Sequence, residues 1–250
     1  MKKIGLALGG GAILGAAHIG VLRVLEERKI QIGCIAGTSI GAFIAALYAF
    51  GVSSHEIKEK VADLNWLDAA GFSFSKYGLL SNEKLGNTLK KTLGDVNFED
   101  AEIPVSVVAT DIGACRKVVL NEGNVAEAVM ASSCIPGIFI PVEIGGKLLV
   151  DGGLVENVPI SPLKKMGANM IIGVDINANR KYRKPEDLID VLANALDLAI
   201  DNATRIQTDE ADILISPELS AYNRTDVKKV HDLVREGYNT ASAILNEIVL

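Results

Sequence analysis

Aromatic side chains are scarce in this chain, 5% of its 250 residues, with a single tryptophan. Histidine is scarcer still, with three, and cysteine is limited to Cys34, Cys115 and Cys134. An odd number of cysteines in apolar surroundings argues against a disulfide scaffold and reads as free, buried thiols in a reducing compartment. No Cys or His pair has ligand spacing, so no metal site is expected. The net charge is -6 without a long basic run, which argues against nucleic acid as a partner. That acidic balance also argues against membrane docking by overall charge, and leaves transient peripheral membrane contact to a local patch. Long spanning segments are missing too. The uncharged run after Met1-Lys2-Lys3 is broken by Gly9, Gly10 and Gly11 and merges into Arg23, Glu26, Glu27 and Arg28 at helical spacing. It reads as strand, loop and amphipathic helix rather than a signal peptide. Residues 35–52 are uncharged but begin with Gly37, Thr38, Ser39 and Gly41, so the apolar helix proper is too short to span a bilayer. A cytoplasmic chain without a transmembrane anchor is expected.

What the chain does have is apolar residues, 49% of the total, enough for one large α/β domain over residues 1–250. Apolar strands are expected at 3–8, 30–36, 105–109, 148–150 (ending at Asp151), 170–175 and 212–215, with 117–120 paired to 105–109. Helices are expected at 15–28, 40–50, 55–64, 82–93, 125–132, 188–208 and 226–248. Strands alternating with helices imply a mostly parallel sheet covered on both faces. Residues 66–77 gather Trp66, Phe72, Phe74 and Tyr77, a local concentration that reads either as a lipid-facing lid or as a loop packing its aromatics into the core. Residues 180–185 form a charged loop.

Three places carry candidate chemistry. Gly37-Thr38-Ser39-Ile40-Gly41 is a G-x-S-x-G pattern between a strand and a helix. The glycines permit a sharp turn, and the hydroxyl is presented at a helix N-terminus, where free N–H groups favour negative charge. The same pattern also occurs as an ordinary strand-to-helix turn. Gly9-Gly10-Gly11-Ala12-Ile13-Leu14-Gly15 lies between the first strand and first helix. Its glycine spacing is wrong for a dinucleotide fingerprint, and the second strand ends without an acid to hold a ribose. It reads as a nest of N–H groups aimed at one oxygen, or as a tight structural turn. Asp151-Gly152-Gly153 follows a strand. A carboxylate there is placed to take a serine proton, provided burial raises its pKa. The alternative is an Asx turn. The histidines offer little: His18 lies near the glycine loop, His55 starts an exposed helix, and His231 sits on a solvated face.

Taken in order, the three sites resemble the patatin-like phospholipase family: a glycine-rich oxyanion loop, a G-x-S-x-G serine and a D-G-G aspartate. Ala109-Thr110-Asp111, the segment from Ala131 to Phe139 and Asn157-Val158-Pro159 extend the likeness over roughly residues 3–178. The resemblance implies a three-layer α/β/α sandwich with a mostly parallel central sheet. It implies Ser39 as nucleophile, Asp151 as base, and Gly10, Gly11 and Ala12 as oxyanion-hole donors. Gly9, Gly15, Gly37, Gly41, Gly152 and Gly153 would support the motifs. It further implies a lipid acyl ester as substrate, with no metal or organic cofactor. Leu14 departs from the pattern, standing where the family usually carries arginine or lysine, and Ala12 stands where glycine is frequent. The rival expectations are an acyltransferase or thioesterase using the same serine, a triad of Ser39 with His231, a regulatory pseudoenzyme, and, remotely, a nucleotide-binding protein.

Overall fold

The structure, a computed structural model, describes residues 2–63, 71–75, 78–224 and 226–248. Its centre is an eight-stranded sheet. The parallel part runs β10 (Ile213–Ile215), β9 (Met170–Val174), β1 (Ile4–Leu8), β2 (Ile32–Thr38) and β5 (Val105–Asp111). β6 (Arg116–Leu120) and β8 (Lys147–Asp151) pair antiparallel with β5, and β7 (Val142–Ile144) pairs with β8. The helices are α1 (Ala16–Glu27), α2 (Ile40–Ala49), α3 (Ser54–Asp63), α4 (Glu83–Leu93), α5 (Val125–Ser132), α6 (Ile160–Lys165), α7 (Leu188–Thr208) and α8 (Val230–Asn246). This is the α/β/α sandwich with a mostly parallel sheet that the resemblance implies.

Alternation along the strands decides what each face meets. Ile4, Leu6, Leu8 and Ile35 belong to the large core that includes α1, α2, α5 and α8. Ala7, Cys34 and Ala36 face the other way, where Ile160 and Leu163 of α6 pack. Small residues on that face let a short helix sit close to the sheet. α8 closes the molecule against α1 at very short range: a Cβ on Gly237 would lie 1.9 Å from the Ala17 carbonyl oxygen.

Most expected elements appear with ends shifted by one to three residues, as hydrogen-bonded boundaries usually are. The first helix begins at Ala16, because residues 12–15 form a tighter 3-10 turn. β7, α6 and a small antiparallel pair, β3 (Gly71–Ser75) with β4 (Gly78–Ser81), were not legible as elements. Trp66 and Tyr77 lie outside the described residues. Cys34 and Cys134 are buried, but Cys115 is exposed in the turn between β5 and β6, with φ of 50°. The expectation of three buried thiols is corrected there, since the turn has no core to enter. No helix among the described residues is long and apolar enough to cross a membrane.

Candidate active site

The two halves of the site meet because one edge of β5 serves two strands. Val108 pairs with Thr38 of β2 and Val119 of β6, while Ala109 pairs with Asp151 of β8 and Val118 of β6. A residue has two edges, so β2 and β8 must share the edge opposite β6, placed end to end. Thr38 and Asp151 therefore sit opposite consecutive residues of β5, and Ser39, next after Thr38, turns beside Asp151. The sequence reads Asp151 as the end of a strand in a mostly parallel sheet. Its strand in fact runs antiparallel and arrives at the end of β2 from the other side.

Ser39 has φ 54° and ψ -125°. A β-carbon in this region is strained by about 1–3 kcal/mol, a conformation found at sharp nucleophile turns. Packing holds it there. A Cβ on Gly41 would lie 2.1 Å from the Leu8 carbonyl oxygen, and one on Gly152 would lie 2.1 Å from that of Val108. The Ser39 N–H donates to Ser132 Oγ (2.8 Å), and the Ser132 hydroxyl donates to the Val108 carbonyl (2.6 Å). The Ser39 side chain makes no capping bond to α2, which leaves its hydroxyl available.

Burial pushes the Asp151 carboxyl up to about 6 from 3.8, against the Gly153 N–H, the Ser39 side chain and the more distant Arg224 charge, which favour the ionised form. The Gly153 N–H donates to Asp151 Oδ1 at 2.8 Å, so the Asx turn anticipated from Asp-Gly exists alongside the contact with Ser39.

The glycine loop lies across from this pair, and a Cβ on Gly10 would fall 3.1 Å from that of Ser39. Two asparagines fix the loop. The Gly10 N–H is shared between Oδ1 (3.2 Å) and the backbone oxygen (3.3 Å) of Asn157. Asn177 Nδ2 donates to the Gly10 carbonyl at 2.6 Å. In a trans peptide the carbonyl and the following N–H point in opposite directions, so holding the Gly10 carbonyl turns the Gly11 N–H the other way. Among the described residues no acceptor takes the N–H groups of Gly11 or Ala12. Ala12 carries φ 54°, which explains why glycine suits this position and alanine bears a cost. Buried His18 supports the loop from below: its Nε2 lies 2.8 Å from the Gly9 carbonyl, and burial lowers its pKa to about 4, so it is neutral and donates.

Gly10, Gly11, Ala12, Ser39, Asp151 and Gly153 line one end of a cavity of about 390 Å³, whose apolar walls include Ile135, Ile138, Leu154, Leu196 and Ile200. A second cavity of about 460 Å³ holds Lys181, Arg183 and Lys184, and shares Asn177, Arg180, Asp197, Asn223 and Arg224 with the first. Arg224 pairs bidentately with Asp197 (2.6 and 3.1 Å), and Arg180 reaches the same carboxylate at 2.7 Å. Buried Leu14 lines this second cavity next to those guanidiniums. Neither cavity is lined by a histidine. His231 instead lies in a separate groove, its Nδ1 2.7 Å from Lys58 Nζ, so the triad with Ser39 has no geometric support.

The sequence pointed to Ser39, Asp151 and the glycine loop as the site but gave no site role to Ser132, Asn177, Arg180, Arg224 or the helix that becomes α7. Asn177 had one legible signal, its place just beyond the carboxyl end of β9. Arg224 had none, since only the fold carries residue 224 to the site.

The chain matches the family model described as patatin-like phospholipase over residues 6–164. An NTE family protein of Mycobacterium tuberculosis is 36% identical over 182 residues, covering 71% of this chain and 50% of the relative. Lysophospholipase NTE1 of Pyricularia oryzae is 32% identical over 71% of this chain and 12% of its own length. The chain thus spans half or less of these relatives. VipD from Legionella pneumophila shares the fold with a TM-score of 0.65 at 15% identity, covering 98% of this chain and 67% of VipD.

Proposed function

The chain belongs to the patatin-like phospholipase family, and from that premise we propose that it is a serine-dependent lipid acyl hydrolase with Ser39 as nucleophile and Asp151 as its base. The observation that carries the reading is the strained Ser39 held against a part-buried carboxyl whose pKa desolvation raises to about 6, at the polar end of an apolar cavity. A carboxylate with a pKa just below neutrality is ionised at working pH yet basic enough to take a proton in the transition state.

Ser39 Oγ attacks the ester carbonyl carbon while its proton passes to Asp151. The carbonyl oxygen becomes an oxyanion facing the Gly11 and Ala12 N–H groups, with Gly10 engaged by Asn157 as the loop's anchor. Fixed donors aimed at developing charge are usually the largest catalytic contribution. The intermediate collapses, the alcohol leaves with the proton from Asp151, and the acyl group remains on Ser39. Water then attacks this ester with Asp151 again accepting a proton; the second intermediate collapses with cleavage of the acyl–Oγ bond, the proton passes from Asp151 to Ser39 Oγ, and the carboxylic acid leaves.

The adjoining cavities suit an amphiphile, with the acyl chain against Leu196 and Ile200 and a polar headgroup toward Arg180 and Arg224. A cavity of this size is typical for a small ligand. The relatives named lysophospholipase support a monoacyl phospholipid as the first substrate to test.

Labelling with a fluorophosphonate tests the nucleophile. Label on the wild type and none on Ser39→Ala is expected, with Asp151→Asn strongly slowed. A folded wild type that takes no label would favour the binding-module alternative. Product analysis with an added alcohol separates hydrolysis from acyl transfer.

A further inference from the structure

α7 carries apolar side chains well beyond the side that faces the cavity. Ala193, Leu196 and Ile200 face the catalytic cavity. At 100° per residue, Val191 and Leu198 fall on the side away from the cavity, Leu188 and Ile206 on the flank, and Leu192, one turn before Leu196, at the edge of the cavity face. All five are exposed, Leu188 by 71% and Ile206 by 74%. Among the described residues only four other large apolar side chains are exposed, all less so than these five, and one of them, Ile138, lines the same cavity. A soluble helix normally turns such a stripe inward, so this one needs an occupant.

The charge next to it says which. Lys181, Arg183 and Lys184, all exposed, immediately precede α7 in a chain whose net charge is -6. Of the nearby acids, Asp187 and Asp190 are tied to backbone N–H groups at the helix start, and Asp190 falls on the side away from the apolar stripe. Glu186 remains as a partial counterweight. An apolar helix face beside a cationic cluster is the pattern that seats in the headgroup region of an anionic bilayer.

We propose that this face docks on an anionic lipid bilayer, with Leu188, Leu192 and Leu198 entering the interface, Lys181, Arg183 and Lys184 meeting lipid phosphates, and the cavity mouth at Ile138 opening onto the membrane. The proposal builds on the lipid-hydrolase reading, because a buried acyl cavity needs a route for its substrate. The docking itself is a binding event and is measured without turnover.

The test is flotation of the Ser39→Ala chain with vesicles of phosphatidylcholine alone or mixed with phosphatidylglycerol. Binding to the mixed vesicles that weakens with added salt is expected. Leu188→Asp with Leu192→Asp, both at exposed positions, should reduce partitioning by about tenfold or more. In the Ser39-bearing chain the same pair should leave hydrolysis of a soluble short-chain ester unchanged. Absence of vesicle binding by the parent chain overturns the proposal, as does undiminished binding by the double variant. A dimer in sedimentation that the double variant dissociates, without vesicle binding, would assign the face to a second copy instead. Loss of esterase activity in every assay alongside intact flotation would sink the hydrolase reading while leaving the docking surface standing.

Discussion

Replacing Asp151 by asparagine should abolish activity and stabilise the protein, and the stabilisation should depend on pH in a defined way. The carboxyl's pKa is raised from 3.8 to about 6 because burial penalises the charged form. A folded-state pKa above the unfolded value means that the folded protein binds this proton more tightly. Stability is therefore fullest below about pH 4 and falls as pH rises through about 6. The shift of about 2 units corresponds to roughly 3 kcal/mol, an upper figure, once the group is ionised. Asparagine has nearly the same shape, retains an oxygen for the Gly153 N–H, and carries no charge to desolvate. The variant should thus match the wild type near pH 4 and exceed it by up to about 3 kcal/mol above about pH 7, or roughly 6–12 °C in Tm for a domain of this size. His18 works in the opposite sense, since its lowered pKa costs stability as pH falls from 6.5 toward about 4. It is present in both proteins and cancels in the difference. Urea denaturation of the pair at several pH values, with esterase assays on the same samples, measures both effects. Activity should fall by at least about a hundredfold, the usual worth of a general base. Equal stability of the two proteins at about pH 8, or wild-type activity in the variant, would refute the argument.

For the wild type, kcat/KM should rise with pH through about 6 as Asp151 ionises, and a profile flat from about pH 5 to 8 would exclude that carboxylate as base. Asn177→Ala removes the 2.6 Å hold on the Gly10 carbonyl and should lower kcat by about tenfold to a hundredfold with little change in KM, read from steady-state kinetics on a short-chain ester. Gly41→Ala drives a methyl into the Leu8 carbonyl at 2.1 Å and should cost several kcal/mol, on the order of the largest single-site effects, seen as a lost or sharply lowered thermal transition. Leu14→Arg buries a third guanidinium beside Arg180 and Arg224 and should destabilise by about 2 kcal/mol or more, measured by urea midpoint.

The local order of the chain was open to reading without coordinates. Periodicity placed α5 and α7 at their observed ends, because 3.6-residue spacing and an Asn or Asp cap are local properties. The motif glycines marked where backbones must pass close together, and Ser39 between them marked the turn. The sequence also suggested an Asx turn at Asp151, which exists. It could not say that Asp151 meets Ser39, because that follows from two strands sharing one edge of β5, a pairing among residues 38, 108, 109 and 151. The hold of Asn177 on a carbonyl 167 residues earlier in the chain likewise depends on β9 lying beside β1. The exposed stripe on α7 was the least legible of all. Its apolar spacing is the same whichever side meets the core, and only packing against the cavity decided which side was left to face outward.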